Sequence, residues 1–178
     1  MSSNANARRA DVAIRGAGVV GQTLALLLAR ERLRVALVAP DAPPRREDVR
    51  AYALNAASRD LLVALRAWPD QVPGAVTAVR GMRVHGDAEG ALRFDATELG
   101  ADALTWIVDV PALEQRLSEA VGFAAGVERT TEAPAARLTV ICEGRHSATR
   151  DGLGIEHDVR PYPHKALAAR LRAEQPHG

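Results

Sequence analysis

A single cysteine, Cys142, rules out any disulfide within the 178-residue chain and fits a reducing compartment. Lysine is almost missing: Lys165 stands alone, and arginine carries the basic charge beside abundant alanine, a coding bias that says nothing of function. Neither sign of charge dominates, since 23 basic against 22 acidic residues leave a net +1 spread along the chain. That distribution gives no basis for nucleic-acid binding, which needs basic charge gathered on one face. Long hydrophobic runs are missing too. The longest helical one, Val19 to Ala29, is too short to cross a bilayer and contains Gln22. The first ten residues hold two arginines, but the apolar stretch after them is broken by Asp11, Arg15 and three glycines, a poor signal peptide. A cytoplasmic location is expected, with membrane-surface contact and self-association left open. His85, His146, His157, His164 and His177 show no metal-ligand spacing. Ser147 lacks a G-x-S-x-G elbow, and Cys142 reads as a small buried strand residue.

What remains is an ordinary globular composition, 47% hydrophobic and 25% charged, long enough for one domain or one domain and the start of another. Asp11 to Arg15 reads as a short buried strand. Three glycines follow it, and Gln22 to Arg30 consists almost wholly of strong helix formers. Arg34 to Val38 is a second apolar strand, closed by Pro40 and the Pro43-Pro44 pair. Strand, turn, helix, strand in this order is a βαβ unit with parallel strands. A polar loop then leads to a helix over Ala56 to Trp68. Val76 to His85 and Ala91 to Phe94 read as strands of a hairpin about the Gly86 to Gly90 turn. Thr105 to Val108 is a short strand, and Pro111 suits the first position of a helix reaching about Val121. Leu138 to Cys142 is a further buried strand, with a short helix through Ser147 to Leu153, and the tail from His157 to Arg172 alternates like a strand. The fold class expected is α/β, Rossmann-like.

Gly16, Gly18 and Gly21 form G-x-G-x-x-G at the junction of strand and helix, close to the N-terminus and in βαβ context. The first glycine allows the tight turn, the second admits a pyrophosphate to the backbone, and the third lets helix and strand pack closely. The unpaired N–H groups of the helix start then face the phosphates. Such folds usually place an acid at the end of the second strand, where it holds the ribose hydroxyls. Here that position is Ala39, so the acid is absent or displaced by two residues to Asp41.

Three further segments separate a flavin protein from a nicotinamide one. Arg50-Ala-Tyr-Ala-Leu-Asn55 with Ser58-Arg59 and Leu61-Leu62 is the first. Gly81 to His85, Phe94 to Gly100 and Trp106 to Leu113 follow, and then Val140-Ile-Cys-Glu-Gly144 with Ser147 and Arg150. In order and spacing the set resembles FAD-dependent aromatic hydroxylases of the ubiquinone-biosynthesis type, over roughly Asp11 to Arg172. The resemblance implies an FAD domain over 11–156, with a hairpin insertion at about 76–105. A flexible segment would precede it at 1–10, and the start of an antiparallel substrate-domain sheet would follow at 157–178.

By the same resemblance Gly16, Gly18, Val20 and Gly21 lie along the FAD pyrophosphate. Arg50 reaches the phosphates or the flavin side, and Glu143-Gly144 stands where the family carries Asp-Gly. Val110 replaces the Asn or Gln usual there. Implied partners are an aromatic small molecule, O2 and NAD(P)H as electron donor; no catalytic residue can be named. The family's chains continue into a Gly-Asp segment that is not seen here, so a truncated chain without turnover is expected. The alternative is a non-catalytic dinucleotide-binding module. A plain NAD-dependent dehydrogenase is disfavoured, because neither a second dinucleotide half nor a catalytic Tyr-Lys or His is found.

Overall fold

The computed structural model of the chain describes residues 10–39, 48–87, 89–165, 167, 169, 171 and 174. Asp41 lies outside the described residues, as does the expected flexible segment except for Ala10. The first half of the chain opens with β1 (Ala10–Arg15), α1 (Val19–Arg30) and β2 (Val35–Val38). β1 and β2 pair in parallel with Val12 opposite Val35, as the βαβ reading requires. β3 (Ala51–Leu54), α2 (Ala56–Ala64), β4 (Val76–Val79), β5 (Gly81–His85) and β6 (Ala91–Asp95) come next. The remainder comprises β7 (Thr105–Asp109), α3 (Val110–Phe123), β8 (Val127–Thr130), β9 (Ala136–Ile141) and the short α4 (Ala148–Gly152).

Three sheets result. The parallel sheet has the order β8-β2-β1-β9, an antiparallel sheet runs β3-β7-β4, and β5 pairs with β6 as a separate hairpin. The fold is therefore mixed α/β, a parallel dinucleotide-type sheet with antiparallel additions. Strands alternate their faces, and Val12, Ile14, Val35 and Leu37 share one core cluster with Leu26 of α1 and with Leu113, Leu117 and Val121 of α3. Each such aliphatic side chain contributes roughly 1.5–3 kcal/mol by leaving water.

The opposite face of the sheet is lined with alanine. Ala13 and Ala36 are 0% and 3% exposed and form a second small cluster with Ala10 and Ala136. The link between β8 and β9 accounts for this. β8 and β9 lie at opposite ends of a parallel sheet, so residues 131–135 have to return past β2 and β1. The link must cross three inter-strand steps of about 4.8 Å and also run back along the strands, because Thr130 is level with Ile141 and not with Ala136, and that diagonal of about 20 Å is its full extended reach. It has no slack and must run close to the sheet, where only small side chains fit. Pro134 of the link lines the same groove as Ala10 and Ala36.

Several boundaries differ from the sequence reading. The expected strand over Val76 to His85 is two strands: β4 pairs with β7, and β5 turns away at Arg80 to pair with β6. α2 ends at Ala64 and not at Trp68, because Arg66 takes a left-handed φ of 58° while Ala67 N donates back to Leu62 O. Pro111 falls at the second helical position of α3, whose cap is the Asp109 carboxylate accepting from Ala112 N at 2.9 Å. β3 and β8 were not anticipated. The described residues of 157–174 contain no strand, so the alternation in that tail does not become one there.

Candidate functional site

The three glycines at the end of β1 are constrained differently. Gly16 has φ 109°, and a Cβ on it would lie 2.4 Å from the Cys142 carbonyl oxygen. A Cβ on Gly21 would lie 1.9 Å from the Gly16 carbonyl oxygen. Both are therefore demanded by the chain itself, which folds the turn tightly onto the end of β9 and packs α1 onto the turn. Gly18 is another matter. Its backbone is ordinary (φ −75°, ψ −174°), and a Cβ there would meet nothing within 4 Å. No contact within the described residues accounts for a glycine at 18.

Around Gly18 the helix start is open. Gly18 is the N-cap of α1, with no side-chain cap and no acidic residue in the first turn. The first N–H groups of a helix have no intrahelical partner and carry a partial positive charge. Val20, in that turn, is 68% exposed. Bare backbone, uncapped N–H groups and open space together fit a pyrophosphate, which is the part of FAD that this loop would hold.

The adenosine side is less well equipped. Ala39 follows β2 directly, and its N donates to Thr130 O at the end of β8. No carboxylate stands at 39.

Arg50 and Glu143 are both engaged within the chain. Arg50 lies directly before β3, and its guanidinium is gripped from two sides by Asp48, with Nε 2.8 Å from Oδ1, and reaches Glu114 at 3.4 Å. The hydrogen bonds to Asp48 bind its proton more tightly still. Glu143 accepts four hydrogen bonds. Ser147 Oγ at 2.7 Å and Thr149 N at 3.0 Å reach Oε2; Thr149 Oγ1 at 2.7 Å and Arg15 Nε at 3.2 Å reach Oε1. The Ser147 and Thr149 bonds in particular hold its carboxyl down at about 2. Gly144 follows with φ 77°, the left-handed conformation that lets the chain turn toward Ser147. Arg15 and Thr149 were not singled out from the sequence, and no motif marks them.

Val110 is 0% exposed and its N donates to Arg50 O, so this position serves the core at the start of α3. Burial raises the Cys142 thiol pKa, in keeping with an inert residue. Trp68 is buried in the core, whereas Trp106 carries the Arg59 guanidinium 5.0 Å above its ring. Among the described residues no His, Cys, Asp and Glu cluster could hold a metal, and no helix is long and apolar enough to cross a membrane.

A parallel sheet with a glycine turn between its first strand and helix is the frame of dinucleotide-binding folds, and proteins similar to the chain carry that frame further. The chain is 35% identical over 124 residues to 3-demethoxyubiquinol 3-hydroxylase of Escherichia coli (strain K12), a match covering 62% of the chain and 30% of the hydroxylase. In fold it matches PqsL of Pseudomonas aeruginosa, described as a probable FAD-dependent monooxygenase. The TM-score is 0.71 and the identity 25%, over 88% of this chain and 48% of that one. It also matches p-nitrophenol 4-monooxygenase PnpA of Pseudomonas putida DLL-E4, with TM-score 0.65 and 15% identity over 84% and 45% of the two chains. No protein-family model matches. The chain thus spans under a third of the curated relative and about half of the solved structures. By sequence the chain is similar to part of a hydroxylase, and in fold to part of FAD-dependent monooxygenases.

Proposed function

We propose that the chain is the dinucleotide-binding part of an FAD-dependent monooxygenase that hydroxylates a phenolic or prenylated aromatic ring, of the ubiquinone-biosynthesis type. The observation that carries this is Gly18, a glycine that the packing of the described residues does not require, placed at an uncapped helix start. The similarity to a ubiquinone-pathway hydroxylase supports the choice of ring substrate. Gly16 and Gly21 shape the turn, Gly18 and the N–H groups of α1 meet the pyrophosphate, and Val20 covers one side of it. Arg50, held by Asp48 and Glu114, lends positive charge toward the flavin side without leaving its partners. Asp41 is the candidate ribose acid. When bound, FAD would take electrons from NAD(P)H and activate O2 for transfer to an electron-rich ring.

Gly18 and Val20 face open space, so a cofactor held by these residues alone stays in contact with water. The 178-residue chain accordingly binds FAD weakly and shows no turnover. A second reading, a dinucleotide-binding module without catalysis, is favoured by Ala39 and by the internal engagement of Arg50 and Glu143. Calorimetry decides first: ADP binds saturably and FAD displaces it. Failure of both to bind at millimolar concentration would remove the proposal. Substrate-stimulated NAD(P)H consumption, with flavin bands near full occupancy, would overturn the weak-binding part and exclude the non-catalytic module.

A further inference from the structure

Glu143 occupies a position that invites a ligand role, yet its two oxygens already accept four hydrogen bonds within the chain. What they join is informative. Arg15 is the last residue of β1 and immediately precedes Gly16. Ser147 is buried and caps α4, its Oγ accepting from Arg150 N at 3.1 Å, while Thr149 lies in the first turn of α4. Glu143 itself follows Cys142, whose N donates to Arg15 O at 2.7 Å and whose carbonyl is the surface on which Gly16 rests. The end of β1, the end of β9 and the start of α4 therefore meet at one carboxylate, directly beneath the glycine turn.

We infer that Glu143 is a positioning residue. It latches the turn after β9 to Arg15 and so holds the platform that sets the Gly16–Gly21 loop, without touching the dinucleotide. This rests on the loop being the dinucleotide site, and the two can fail separately. The physical ground is one of sign and reach. A carboxylate in direct contact with a pyrophosphate repels it, so removing the charge would tighten binding, more so at low salt. A latch acts the other way: removing it loosens the loop and weakens binding about equally at low and high salt.

The test uses the 178-residue chain with Glu143→Gln and, separately, Thr149→Val. In Glu143→Gln an amide N–H is turned toward donors that the carboxylate now accepts from; in Thr149→Val the charge stays and one bond of the latch goes. ADP affinity is measured by calorimetry at two salt concentrations, and the thermal midpoint is recorded for each protein. Cys142, the chain's only cysteine, supplies a reading that needs no ligand. A Cβ on Gly21 would lie 3.4 Å from the Cys142 Cβ, so the thiol sits under the loop. Its rate of modification by a neutral thiol reagent, well below the thermal midpoint, reports loosening there. The latch predicts that both variants bind ADP severalfold more weakly at either salt and expose Cys142 severalfold faster. Unchanged or tighter ADP binding in Glu143→Gln overturns it. If the parent chain binds no ADP, the functional proposal fails, and the Cys142 rates alone decide the latch: equal rates in parent and variants overturn it too.

Discussion

Gly18 and Gly21 lie three residues apart and look interchangeable in a sequence motif, but the structure assigns them opposite sensitivities. Gly21→Ala would ordinarily stabilise a helix by about 1 kcal/mol, since alanine is the better helix former. Here the new Cβ would be 1.9 Å from the Gly16 carbonyl oxygen, a backbone atom in a turn that itself rests on Cys142. Nothing in that stack is a flexible side-chain end that could swing away. Overpacking of this kind costs about 1–3 kcal/mol and more where backbone must move, so we expect a net loss of about 2 kcal/mol. In a domain of this size that is a fall in thermal midpoint of roughly 4–8 °C. Gly18→Ser should do the reverse. Its backbone suits any residue, an added Cβ meets nothing within 4 Å among the described residues, and serine caps a helix at least as well as glycine. Stability should stay within about 0.5 kcal/mol of the parent. ADP affinity, by contrast, should fall about tenfold or more, roughly 1.4 kcal/mol, because the hydroxymethyl group occupies the space meant for pyrophosphate. Thermal melts and calorimetry on the two variants are sufficient. Gly18→Ser binding ADP like the parent, or losing as much stability as Gly21→Ala, would refute the division of labour among the glycines.

Three more outcomes are expected. Ala39→Glu should supply the missing ribose hydrogen bond and tighten ADP by about 1 kcal/mol, roughly fivefold; no gain by calorimetry would mean that Asp41 or another group already holds the ribose. Ala36→Leu should cost about 1–3 kcal/mol in denaturant unfolding, because the added atoms would push against the strap between β8 and β9, and a neutral result would remove the strap from the account of the alanine face. Glu143 titrates at about 2 when folded against an ordinary 4.5, so its contribution is fully present above pH 4.5 and is lost as pH falls toward 2. After allowance for solvent screening it amounts to about 1–2 kcal/mol, and the difference in stability between parent and Glu143→Gln should shrink by that much between pH 5 and about pH 2.

The βαβ core was legible because its signals are local and redundant. An apolar run, three glycines at the right spacing and a leucine-rich helix each favour the same local geometry, and β1, α1 and β2 formed within a few residues of the expected ends. The misses have a common cause. β3 is mostly exposed and shows no alternation between inner and outer residues, and β8 reads Val-Glu-Arg-Thr, so each owes its strand state to a partner distant in sequence, β7 in one case and β2 in the other. The break at Arg80 is of the same kind, since one continuous β-prone run divides its pairing between two partners. Nor could the alanines at 13 and 36 be read as anything but compositional bias until the path of residues 131–135 was known.

For the site, residue type located the right neighbourhood but could not say which way each group faces. Glu143, Arg50 and Gly18 were all expected at the cofactor on the strength of their positions. Their surroundings separate them by a single physical question, whether the chain itself already satisfies the group. Both oxygens of Glu143 are bonded internally, and Arg50 is held by Asp48 and Glu114. Either could offer a ligand its charge only at a distance or in exchange for existing bonds. Gly18 stands at the other extreme: its missing side chain is answered by nothing among the described residues. A charged residue that is internally satisfied argues for architecture, and a glycine that is internally unexplained argues for a ligand when, as at 18, it also stands at an uncapped helix start after a parallel strand. By that criterion Gly18 is stronger evidence for a dinucleotide here than either charged residue, and the binding of ADP should depend more steeply on position 18 than on position 50.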